Sequence, residues 1–113
     1  NCPKLVTLSV YGCSQLTSAT LRMVADNCPN LEVLDVSQCD LFLLPANIGK
    51  LSRLRVLAAW RNHLKELPRS IVDLDASCSL ALNGNPLQLP PLKIARQGIP
   101  AIKRYFDDLD GTA

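Results

Sequence analysis

The chain has 113 residues, 48% of them apolar, and a formal net charge of +2, which suits one small core. Its basic residues are scattered, apart from the short pairs Arg53/Arg55 and Lys103/Arg104, so there is no electrostatic case for nucleic acid or an anionic membrane as partner. No apolar run approaches the ~20 residues of a membrane span, and the sequence shows no charged leader with an apolar segment.

The stretch NCPKLVTLSVYGC (1–13) is nearly rewritten as NCPNLEVLDVSQC (27–39). A catalytic site has no reason to be stated twice, whereas a stack of like units does. The first unit places Leu5, Leu8, Val10 and Cys13, and the second Leu31, Leu34, Val36, Cys39 and Leu41. Leu54, Leu57, Ala59, Asn62 and Leu64 repeat the pattern, and Ser77, Leu80, Leu82, Asn85 and Leu87 repeat it again. The middle apolar-x-apolar of each unit predicts a short strand whose apolar side chains point inward. The Asn or Cys that follows predicts an inward ladder residue serving buried backbone groups. Asn does this with a full amide, while Cys13 and Cys39 would do it as small hydrophobes with a weak thiol donor. Ser77 stands where a leucine is wanted, which weakens the fourth unit, and Cys78 falls off the ladder as the cysteine expected to be most reactive.

The connections differ. In LTSATLRMVADNCP, Leu21, Val24, Ala25 and Cys28 recur at helical spacing, with Thr17 or Ser18 to cap the start and Pro29 to end it. Residues 44–51 and 67–74 align as Leu-Pro-x-x-Ile-x-x-Leu and predict shorter, more extended segments with Leu44, Ile48, Leu51, Leu67, Ile71 and Leu74 inward. Beyond residue 88, Pro90 and Pro91 break the strand rhythm. A short helix from about Leu92 to Gln97 ends at Gly98, and Pro100 opens another whose buried stripe is Ile99, Ile102, Phe106 and Leu109.

The pattern L-x-x-L-x-L-x-x-(N/C)-x-L resembles that of leucine-rich repeat proteins. The first two units are similar to the cysteine-containing repeats of F-box substrate receptors, and the next two to the LP-x-x-I-x-x-L repeats of intracellular scaffolds. The last segment resembles the cap that closes such arrays ahead of Ras-like GTPase domains and in death-domain adaptors. This resemblance implies an α/β fold: a right-handed solenoid with a short parallel sheet on the concave face and helices or extended segments on the convex face. Residues 1–88 would hold about four repeats (5–30, 31–53, 54–76, 77–88), and 89–113 a helical cap. The chain begins inside a unit, so an upstream domain or further repeats are expected. The end at Leu5, Leu8 and Leu21 should expose apolar surface, through which the chain self-associates unless an upstream domain covers it.

Chemistry is hard to find in this sequence. The two Cys-x10-Cys spacings lack the tight ligand pair of a structural zinc site. There is no phosphate-binding loop, no calcium loop and no nucleophile elbow, and His63 follows Asn62 in a surface turn with no readable partner. Neither catalysis nor a cofactor is expected. Five cysteines, an odd number, and no Asn-x-Ser/Thr acceptor point to free thiols in a reducing, intracellular and cytoplasmic setting.

What remains is binding. Strand residues that do not point inward form columns on the concave face: Thr7, Val33, Val56 and Ser79; Ser9, Asp35, Ala58 and Ala81; Tyr11, Ser37, Trp60 and Asn83. A fourth column, at the strand exit, is Gly12, Gln38, Arg61 and Gly84. The candidate contact residues are Thr7, Ser9, Tyr11, Val33, Asp35, Ser37, Val56, Ala58, Trp60, Arg61 and Asn83. Trp60, the chain's single tryptophan, beside Arg61 has the composition of an interface hot spot. The expected partner is another protein, with the array serving as an adaptor or scaffold segment of a larger signalling protein. The alternatives are substrate recognition in an F-box-type ubiquitin-ligase receptor, or regulation of an attached GTPase or kinase.

Overall fold

Four three-residue strands lie side by side in chain order in a computed structural model that describes residues 4–111. Cys2, the start of the 1–88 span and the end of the 89–113 span lie outside the described residues. The strands β1 (Thr7–Ser9), β2 (Val33–Asp35), β3 (Val56–Ala58) and β4 (Ser79–Ala81) form one parallel sheet. Its register aligns Leu8, Leu34, Leu57 and Leu80. Those leucines stack behind the sheet because side chains alternate along a strand. Leu31, Leu34, Val36, Leu54, Leu57 and Ala59 are fully buried. Every turn closes its apolar face against its neighbours, which is how repeats too small to fold alone share a core.

Helix α1 (Ser18–Asn27) crosses back from β1, capped by Thr17, whose hydroxyl accepts from the Thr20 N–H at 3.3 Å. Its Leu21 and Ala25 enter the core. In the next two turns the return is a single 3-10 helix, Ile48–Lys50 and then Arg69–Asp73, each pressing an isoleucine fully inward. Gly49 fits where these two meet: a Cβ there would strike the Ser70 carbonyl oxygen and come within 2.8 Å of the Asp73 Cβ. Gly49→Ala is therefore expected to destabilise by about 1–3 kcal/mol through overpacking, measurable as a lower urea midpoint with an unchanged slope.

The ladder residues carry the turns. Asn62 Oδ1 accepts from the Cys39 and Leu41 N–H groups at 2.8 and 3.1 Å, and its Nδ2 donates to the Val36 and Ala59 carbonyls at 3.0 Å each. Asn85 repeats this one turn on, with its Oδ1 accepting from Asn62 and Leu64 and its Nδ2 donating to Ala59 and Leu82. Cys39 donates its thiol to the Val10 carbonyl at 3.1 Å, and burial pushes that thiol's pKa up. A sulfur offers no equivalent of the amide oxygen, so the Cys turn is the less completely bonded one.

At the far end, α2 (Leu92–Ala95) and α3 (Ile99–Leu109) bury Ala95, Ile99, Ile102 and Phe106. Arg69 ties α3 to the last 3-10 helix. Its guanidinium meets Asp110 at 2.6 Å and lies over the Phe106 ring at 4.5 Å, and the pairing lowers the Asp110 pKa.

Several expectations are corrected. Cys13 is exposed and not packed inward at its ladder position. Leu21 is buried, because α1 packs on the second turn; Leu5, Leu8 and Val10 of the first turn are only half-buried. Cys78 is buried and Ser77 exposed. The turn before β4 is slipped by one residue, so the Cys78 N–H bonds to the Asp75 carbonyl at 2.8 Å, as Leu54 does to Leu51, and the thiol fills the leucine slot. Burial, with the nearby Asp75 charge, pushes its pKa up to about 11, so it is a poor nucleophile at neutral pH. Leu109 is half-exposed at the last turn of α3. His63 has a partner: its Nε2 lies 3.2 Å from Asp40 Oδ1 and its ring stacks on the exposed Phe42.

Candidate functional site

The sheet face is built by residues that the strand period turns away from the core. Val33, Val56 and Ala58 are half-buried there, and Thr7, Ser9 and Ser79 are exposed. The cross-strand pairs Thr7–Val33–Val56–Ser79 and Ser9–Asp35–Ala58–Ala81 make two straight columns. Asp35 is held in place: its Oδ1 accepts from the Ser37 N–H at 3.0 Å.

The third column is not flat. Neighbouring strands stand about 4.8 Å apart, so Tyr11 and Trp60, two strands apart, would not meet if they stood upright. Their ring centroids are 5.4 Å apart, tilted at 58°. The rings lean toward each other over the small residue between them, Ser37, which is 0% exposed. Ser37 is therefore corrected from contact residue to support: its Oγ accepts from the Trp60 N–H at 3.1 Å and holds the backbone under the indole. Trp60 itself is half-buried, against Tyr11 on one side and Arg61, whose guanidinium carbon is 5.8 Å from the ring centre, on the other.

Beside this pair a groove of about 700 Å³ opens at the strand-exit end of the sheet. Tyr11, Trp60, Arg61 and Asn83 line it, as do Gln38, Ala81 and Gly84. Thr7, Ser9, Val33, Asp35, Val56 and Ala58 share the face but lie outside the groove. The fourth column, three of whose residues line the groove, shares a backbone device. Gly12, Gln38, Arg61 and Gly84 all have positive φ, of 75°, 56°, 55° and 78°. Glycine takes this conformation freely and other residues at a cost. Gly84 is also required by space, since a Cβ there would lie 2.9 Å from the Arg61 Cγ. Gln38 and Arg61 keep long polar side chains in the same strained position. Gln38 uses its own to donate to the Tyr11 hydroxyl at 2.8 Å. Arg96 was not legible in the sequence. It lies just past α2, and its Nε donates to Asn83 Oδ1 at 3.2 Å, a contact that no periodicity announces.

Among the described residues, no three His, Cys, Asp or Glu side chains gather as metal ligands, and no helix is long and apolar enough to cross a membrane.

Two comparisons bear on this architecture. Residues 30–51 match the Leucine Rich Repeat family model. Over 93 residues, 79% of the chain, the sequence is 38% identical to TMV resistance protein N of Nicotiana glutinosa, of whose length the match covers 8%. The matched stretch runs through the second turn, from just before its first buried leucine to just past its 3-10 helix, and the strands on either side pair with its strand residue for residue. The second turn thus carries the leucine-rich repeat pattern, in a stack whose neighbouring strands hold the same register.

Proposed function

We propose that this chain is a protein-recognition module, an adaptor or scaffold segment of a larger intracellular signalling protein, working in the cytoplasm without catalysis or cofactor of its own. In this reading the turns wind as a right-handed solenoid. The sheet lines the concave face, and α1 and the 3-10 helices form the convex one. A partner protein lies along the concave sheet with Trp60 as its anchor.

The observation that carries the reading is the groove, where two aromatic rings and an arginine project from an otherwise small and polar surface. Aromatic rings bring large contact area with few rotatable bonds to freeze, and Trp, Tyr and Arg dominate interface energetics. The Nicotiana relative is named for resistance to TMV, which favours a signalling setting over the F-box-type receptor that the cysteine turns suggest. A regulatory array attached to a GTPase or kinase is the other alternative. The half-buried Leu5, Leu8 and Val10 are a second surface, through which the chain self-associates when nothing else covers it.

The test is Trp60→Ala. Binding to a partner isolated on the chain should weaken by about 2 kcal/mol or more, roughly thirtyfold. Stability should fall by about 1 kcal/mol for the tilted aromatic pair, plus the loss of the ring's half-buried area, and the chain should stay folded. Arg53→Ala, exposed in the turn before β3, should change neither quantity. If Trp60→Ala leaves affinity intact, the sheet face is not where the partner sits.

A further inference from the structure

We propose that the groove beside Trp60 takes a carboxylate, the acidic side chain of an extended segment of the partner protein, held by Arg61, Asn83 and Tyr11. This rests on the reading of the sheet face as a protein-binding surface and adds the chemistry of what enters it.

Hydrogen-bond accounting leads there. Gln38 donates to the Tyr11 hydroxyl oxygen, so the phenol's own proton is left to donate elsewhere. Arg96 donates to Asn83 Oδ1, which fixes the amide's orientation and leaves Nδ2 as an open donor. Arg61 stacks against Trp60 and has no carboxylate partner among the described residues. Three donors thus border one groove, one of them charged, and Arg61 carries the only formal charge among the lining residues.

The acids of the same face are occupied or lie apart. Asp35 accepts from the Ser37 N–H, Glu32 faces Arg55 at 3.7 Å, and Asp40 faces His63. One guanidinium with two neutral donors matches the single charge of a carboxylate better than the nearly doubled charge of a phosphomonoester. The backbone agrees: Arg61 and Gln38 sit at positive φ in the column where the outer turns have glycine, so both side chains are kept at a conformational cost. An extended segment would lay its acid on Arg61 and an adjacent apolar residue on the Trp60 ring.

Peptides selected from a random display library on the immobilised chain, then measured singly, test the proposal. Peptides that lose binding to Trp60→Ala should be enriched in Asp and Glu. Changing the peptide acid to its amide, or Arg61→Gln in the chain, should each weaken binding by about tenfold, as loss of a charge-assisted hydrogen bond does. The two changes together should weaken it little further, because they remove one interaction. Arg61 is exposed, so the melting temperature of Arg61→Gln should match that of the parent. Trp60-dependent peptides without acids, or losses that add in the double change, would overturn the carboxylate while leaving the face intact. Peptides that bind equally well to Trp60→Ala would overturn the face and the carboxylate together.

Discussion

Asn62→Ala is expected to be among the most damaging single changes in this chain, at about 3–9 kcal/mol. The side chain makes four hydrogen bonds while only 3% exposed. Truncation leaves the Cys39 and Leu41 N–H groups and the Val36 carbonyl without that partner inside the stack, whereas the Ala59 carbonyl keeps Asn85. Each buried orphan costs about 1–3 kcal/mol. In a domain whose total stability is about 5–15 kcal/mol, the loss approaches unfolding. Urea denaturation followed by circular dichroism reads it directly. Asn62→Cys should fall between the two, since a thiol can donate to a carbonyl but gives the two N–H groups no comparable acceptor. A loss below about 1 kcal/mol in Asn62→Ala would mean that water reaches those groups and that the ladder does not hold the turns.

Leu57→Ala should cost about 2–5 kcal/mol, the range for a buried leucine whose cavity cannot collapse. Leu57 is 0% exposed and stands between Leu34 and Leu80, with a layer on each side. Leu8 occupies the same register position in the first described strand and is only half-buried. Leu8→Ala should therefore cost less than half as much in the same experiment. Equal losses would show that the first turn is covered in solution, for instance by self-association.

The leucine columns were legible because a strand alternates its faces and the repeat length fixes which strand pairs with which. Leu34, Leu57 and Leu80 could be placed by position alone. The misplacements share a different physics, that of neighbours. Cys13 obeys the pattern but is exposed in the first described turn. Leu109 obeys the helical period but lies where α3 runs past its support. Cys78 moved inward by a one-residue slip that an apolar thiol tolerates and Ser77 does not demand. Ser37 is buried by two large side chains from other strands, and a column read one residue at a time cannot show which members bend over which. In the candidate site, Tyr11, Trp60, Arg61 and Asn83 followed from register, whereas Arg96 is brought in by the fold of the last segment.

The side-chain ladder runs one way. Asn85 serves the turn of Asn62, Asn62 serves the turn of Cys39, and Cys39 reaches back to Val10. Each unit is stitched by the one that comes after it in the chain. Peeling from the residue-4 end would leave ladder side chains without the backbone groups they serve, whereas loss of the last turns would leave backbone groups without the side chains that serve them. The stack is mechanically polar. A side chain left free can turn into water, whereas a backbone N–H stays fixed in its turn, so the two ends would answer force differently.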